Sequence, residues 1–127
     1  MQRSMMQTYV TDSAEAVRLY VKAFDAELTA CYKNDDGSIM HSEININGSI
    51  LAVSERASEF AILGDTQTGN VMQFCLQFGE GGEEAVTKAY DTLKTGAKIL
   101  MPLAPCTYSP LMCDIIDCYG VRWCLFV

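Results

Sequence analysis

The chain carries one hydrophobic rhythm twice. Val17, Tyr20, Val21 and Phe24 stand at i, i+3, i+4 and i+7, the spacing that lines four side chains along one face of a helix. Val86, Ala89, Tyr90 and Leu93 repeat that stripe 69 positions later (86 minus 17). Short apolar runs with strand character surround each stripe. Residues 7–10 precede the first, with Asp12 and Glu15 spaced as a capping box for the helix; residues 27–33, 40–46 and 50–54 follow it. The turn sequence Asn34-Asp35-Asp36-Gly37 separates the first two of these runs. Asn47-Gly48, whose residues both tolerate positive φ, separates the last two.

The second copy keeps the same order. Residues 71–78 alternate, with Met72, Phe74, Leu76 and Phe78 on one face and Gln73, Cys75 and Gln77 on the other, the pattern of a half-buried strand. Gly79-Glu80-Gly81-Gly82 reads as a flexible turn into the helix, since it lacks the Lys and Ser/Thr of a phosphate loop. Gly96 stops that helix. Residues 98–103 form a strand limited by Pro102 and Pro105, which suit an edge strand or its end, and 111–116 pair with 121–127 across Asp117-Cys118-Tyr119-Gly120. The expected fold is α+β: two tandem βαβββ modules at about 5–54 and 70–127, joined by a linker at 55–69 within a single domain spanning 1–127. Their curved mixed sheet forms a cup, with the helices on its outer face.

Composition narrows the function classes. At 127 residues, half of them apolar, the chain can bury a core without staples. Its net charge of −7, from 16 acidic and 9 basic residues with no Lys/Arg cluster, excludes nucleic acid as a partner. No apolar run approaches the roughly 20 residues of a membrane span, and the first residues carry no export signal. A soluble, cytoplasmic protein is therefore expected. In that compartment the six cysteines stay reduced, with Cys31, Cys75, Cys113 and Cys124 as small buried hydrophobes in strand-like runs. No Cys-x-x-Cys pair suggests structural zinc.

Three segments carry a family resemblance: Glu15-Ala16-Val17-Arg18-Leu19-Tyr20 with Phe24; Met40-His41-Ser42-Glu43-Ile44 with Asn47-Gly48-Ser49-Ile50-Leu51; and Asp117-Cys118-Tyr119-Gly120-Val121-Arg122-Trp123. Together they resemble the vicinal oxygen chelate superfamily, the glyoxalase and bleomycin-resistance group, and its PhnB-like branch in particular. The last segment departs from the branch's signature at Cys118, where proline is usual. The resemblance implies four metal-ligand positions on the first and last strands of each module, which fall at Met5, Ala52, Gln73 and Cys124. These offer a thioether, a methyl, an amide and a thiol, whereas a catalytic divalent metal wants about three His or carboxylate ligands. The usual metal site is thus expected to be dismantled, with no cofactor.

Other residues are candidates for chemistry. His41, the only histidine, and Glu43 share a strand face and form the candidate catalytic pair, against a reading of the same face as merely polar and solvated. Arg122 suits an anionic ligand group or an ion pair with a nearby acid. Cys124 is a nucleophile only if a base or cation activates it, and is otherwise an inert buried thiol. Gln7, Tyr9, Gln73 and Gln77 would give the cup hydrogen-bonding groups beside apolar walls. The expected function is binding of a small molecule, one with an anionic group included, by a homodimer of the glyoxalase/bleomycin-resistance type. The alternatives are a lyase, isomerase or transferase of the same superfamily, and a partner-binding structural module.

Overall fold

The computed structural model describes residues 1–56 and 71–127. The expected linker lies, past Arg56, outside the described residues. Two compact units divide the chain, Met1–Asp65 and Thr66–Val127. In the first, β1 (Met6–Val10), α1 (Ser13–Phe24), β2 (Glu27–Lys33), β3 (Ile39–Ile46) and β4 (Ser49–Glu55) build a mixed sheet in the order β1-β4-β3-β2. In the second, β5 (Phe74–Gln77), α2 (Glu83–Leu93), β6 (Lys98–Cys106), β7 (Ser109–Ile116) and β8 (Arg122–Phe126) repeat it as β5-β8-β7-β6. In each sheet the first and last strands of the unit pair in parallel and the remaining pairs are antiparallel. The fold is the expected α+β tandem of βαβββ modules, and neither sheet closes on itself.

Burial follows the sequence rhythm. Helix α1 lies against β1, β3 and β4, turning Ala16, Val17, Tyr20 and Ala23 onto a sheet face made of Ile44, Leu51 and Val53. Ser42 shares this apolar face and is accommodated because its hydroxyl donates to the Val53 carbonyl at 2.8 Å. Helix α2 lies against β7 and β8, and Val86, Ala89 and Leu93 meet Cys113, Ile115, Trp123 and Leu125, all fully buried. Phe74 closes on Trp123 with ring centroids 5.3 Å apart. Because pleated strands alternate, the residues between these form a second, more polar face on each sheet.

Several expectations are corrected. Asp12 and Glu15 form no capping box: Asp12 adopts φ 52°, and its side chain makes no capping bond. Glu55 at the end of β4 takes that role, accepting from the Ser13 amide at 3.2 Å and its hydroxyl at 2.9 Å, a carboxylate placed where a helix N-terminus favours one. The strand expected at 71–78 is only Phe74–Gln77, because its ladder is limited to the four partners Trp123–Phe126 on β8. Strand β6 runs through Pro102 and Pro105 to Cys106. It does so as an edge strand with three register shifts, the setting in which a missing N–H costs no ladder bond.

The glycine turn is also tighter than its composition suggests. Gly79 and Gly81 have φ 77° and 83°, and Gly82 donates to the Gly79 carbonyl at 3.0 Å. A methyl group on Gly82 would meet the Phe78 Cβ at 2.5 Å and the Gly79 oxygen at 2.9 Å. Of the four cysteines expected inside, Cys113 and Cys124 are buried but Cys31 and Cys75 are exposed. Asn47 and Gly48 have φ 49° and 96°, the paired positive values of the expected two-residue hairpin.

Candidate functional site

The polar face of the first sheet is organised around Glu43. Strand pairing sets Gln7 beside Ala52 and Ala52 beside Glu43, so the three form one row. Arg3 grips Glu43 with a two-pronged fork, Nη1 to Oε2 at 2.7 Å and Nη2 to Oε1 at 2.8 Å. His41 Nε2 stands 3.2 Å from Oε1 of the same carboxylate. The Arg3 bond, then that of His41, holds the Glu43 carboxyl below the usual glutamate range. Gln7 donates to Ser54 Oγ at 3.1 Å and to the Thr8 carbonyl at 2.8 Å. Tyr9, in register with Ser54, continues this face and is exposed. The structure thus brings His41 and Glu43 together and adds Arg3, which no sequence signal marked.

The second sheet repeats the arrangement with different chemistry. Asp114 of β7 lies beside Cys124 of β8, and Cys124 beside Cys75 of β5. Arg122 forks onto Asp114, Nε to Oδ1 at 2.9 Å and Nη2 to Oδ2 at 2.7 Å, while Gln73 Nε2 donates to Oδ1 at 3.0 Å. Arg122 is therefore an ion-pair partner first, and any anionic ligand must compete with Asp114. Gln77 stands in register with Phe126, against whose ring the Tyr108 ring packs edge-on at 5.6 Å. The neighbouring Cys124 sulfur, followed by burial, pushes the Tyr108 hydroxyl up to about 12. Burial pushes the Cys124 thiol up as well, opposed by a hydrogen bond from Tyr108. A thiol held in its protonated form is a poor nucleophile.

Asp114, like Arg3, is a residue of the candidate site that sequence reasoning missed. An acid within the otherwise apolar run 111–116 was a usable signal, because such residues are seldom buried without a partner. It stands 71 positions after Glu43 (114 minus 43), the spacing of the two helical stripes to within two residues.

The positions implied as metal ligands can now be judged by their donors. On β1 and β5 the residues in register with Ala52 and Cys124 are Gln7 and Cys75, each two residues beyond the expected Met5 and Gln73. Ala52 has no donor atom, and Gln7 is committed to Ser54 and Thr8. Among the described residues no group of three or more His, Cys, Asp or Glu is placed to hold a metal ion. This donor set does not fit a catalytic divalent metal.

No protein-family model and no curated protein matches the sequence. Solved structures do. A PhnB protein from Bacillus cereus superposes with a TM-score of 0.80 at 22% identity, covering 98% of both chains. TioX from Micromonospora matches with a TM-score of 0.66 at 19% identity over 98% of this chain and 94% of its own. The fosfomycin resistance protein FosX from Listeria monocytogenes, solved with Mn(II) and 1S,2S-dihydroxypropylphosphonic acid, matches with a TM-score of 0.69 at 16% identity, over 98% of this chain and 90% of its own. The chain has the glyoxalase-like fold, with PhnB-like and FosX proteins as structural neighbours.

Proposed function

We propose that the chain is a small-molecule-binding protein of the glyoxalase/bleomycin-resistance type that works without the metal its fold commonly carries. One observation carries this reading. On the polar face of each sheet the carboxylate, Glu43 or Asp114, is gripped by an arginine fork, so a guanidinium supplies the positive charge that a metal would otherwise bring. Gln73, Gln77, Tyr108 and Phe126 give the second sheet the polar and aromatic groups with which small-molecule sites are lined. Arg122 would meet an anionic ligand group by exchanging Asp114 for it. Elemental analysis of protein purified without chelator tests the reading. Sub-stoichiometric metal together with a thermal shift from a small organic acid supports it; one transition metal bound per chain overturns it.

The His41–Glu43 contact favours a second reading, an enzyme of the same superfamily, either a lyase, an isomerase or a transferase. Arg3 weakens it, since a carboxylate stabilised in its charged form is a feeble base. Turnover of hemithioacetals or catechols that His41→Ala and Glu43→Ala both abolish would establish it. The proposal includes a cytoplasmic homodimer. Leu28 and Tyr32 on edge strand β2, and Ile99, Leu100 and Met101 on edge strand β6, are exposed, and apolar sheet edges are seldom left uncovered. Sedimentation at micromolar concentration should give a dimer, and a sole monomer removes that part.

A further inference from the structure

The second sheet holds a feature that the binding reading does not use. Cys75 and Cys124 are direct partners in the parallel pairing of β5 and β8, so their side chains leave the same face from adjacent strands. Neighbouring strands lie about 4.8 Å apart, within the range of about 4.4–6.8 Å between α-carbons that a disulfide spans. The two thiols differ in access: Cys75 is exposed and Cys124 is 7% exposed. Cys75 is also wired to the ion pair. Its thiol donates to Gln73 Oε1 at 3.6 Å, Gln73 Nε2 donates to Asp114, and Asp114 receives the Arg122 fork.

We infer that Cys75 and Cys124 form a reversible dithiol–disulfide pair, with Cys75 as the attacking and Cys124 as the resolving cysteine. A low-molecular-weight disulfide such as oxidised glutathione is the oxidant. The deprotonated Cys75 sulfur attacks one sulfur of it, forming a mixed disulfide and releasing one thiol. Cys124 is a poor nucleophile toward solution, but its position beside Cys75 makes the second attack intramolecular: it gives up its proton and attacks the Cys75 sulfur, so the Cys75–Cys124 bond forms and the second small thiol leaves. Two electrons pass from the protein to the external disulfide, and access dictates the order, since the exposed sulfur meets the reagent first. Oxidation removes the S–H that Cys75 offers to Gln73. The Gln73 amide is then released at Oε1 and free to reorient, which loosens one of the bonds that hold Asp114 beside Arg122.

The full chain, equilibrated in glutathione buffers of stepped redox ratio, acid-quenched and alkylated, tests this by peptide mass spectrometry. A linked Cys75–Cys124 peptide pair, lighter by two hydrogens and lost on reduction, is the expected product. Cys75→Ser should abolish it and leave Cys124 unmodified, while Cys31→Ser should leave it intact. A shifted Gln73 side-chain amide signal in the oxidised protein, unchanged when Cys75→Ser is given the same treatment, is the second expected readout. A stable glutathione adduct on Cys75 with Cys124 still open to alkylation after unfolding would overturn the inference. So would a link from Cys124 to Cys106. Both results are read on the unsubstituted protein, so neither depends on a variant folding.

Discussion

The two modules share a topology but fasten it differently. In the first, the corner from β1 into α1 is held from a distance: Ser13 Oγ donates to Glu55 at the end of β4 and accepts from the buried Ile39 amide of β3 at 2.9 Å. In the second, the bonds at the corner from β5 into α2 among the described residues are backbone ones, through a glycine turn too tight for a side chain at Gly82. The last hairpins differ in how much rests on one side chain. Asn47-Gly48 turns on two successive positive φ values and needs one side-chain bond, from the Gly48 amide to Asn45 Oδ1 at 2.6 Å. The turn at Asp117 is instead built on one carboxylate, whose Oδ1 accepts from the Tyr119 and Val121 amides at 2.9 and 3.0 Å and whose Oδ2 accepts from the buried Trp123 indole at 2.9 Å. One fold thus accepts side-chain and main-chain solutions to the same corner, and the choice decides which substitutions each module tolerates.

The largest effect is expected where one side chain does most. Asp117→Ala removes the carboxylate oxygen that accepts from the buried Trp123 N–H and two turn bonds besides, so a loss of about 3 kcal/mol is expected. The urea midpoint should fall accordingly, and a loss equal to that of an ordinary surface change would refute the account of this turn. Gly82→Ala comes next, at about 2 kcal/mol, because the added carbon meets backbone at Gly79 as well as Phe78. Its control is Gly48→Ala, where open space surrounds the new carbon and only the positive φ is strained, at about 1 kcal/mol. Equal losses at the two glycines would mean that the corner is not sterically closed.

Ser13→Ala should follow at about 1–2 kcal/mol, since the Ile39 amide loses a buried acceptor and the helix loses its link to Glu55. Hydrogen exchange reads this locally. The Ile39 amide should exchange faster, and unchanged protection there would show that β3 is held by its ladder alone.

What the sequence revealed and what it hid divide along the same line. The helical stripes, the Asn47-Gly48 hairpin and the alternation that puts Gln73, Cys75 and Gln77 on one face all rest on local periodicity, and were legible. The capping of α1 was not, because Glu55 is 42 positions from Ser13 and no local spacing announces such a bond. Within the candidate site, the pairing of His41 with Glu43 could be read from alternation along one strand. Arg122 could be placed on the polar face, but its partner lay across a hairpin on β7. Arg3 precedes β1 and has no periodicity of its own. The prolines of β6 marked an edge strand correctly but set its end too early, since an edge strand with shifted register continues through prolines that would stop a central one.

The smallest effect concerns the two arginine forks, and it sharpens the comparison by means of pH. Arg3 reaches Glu43 from outside the sheet with a side chain 54% exposed, whereas Arg122 stands on the strand next to Asp114 and is 30% exposed. Because the folded Glu43 value lies below the ordinary 4.5, Arg3 first among its causes, the unfolded chain binds the extra proton before the folded one does. Stability from this pair is therefore complete above the ordinary value and is lost as the pH falls through the lower folded one. Arg3→Gln should lower stability slightly at neutral pH and progressively less below pH 4.5. Salt should shrink the difference, as it screens exposed charges. Urea denaturation of both proteins through this range is the measurement. A difference that stays constant into strong acid would show that Arg3 acts by packing over Glu43, not by its charge.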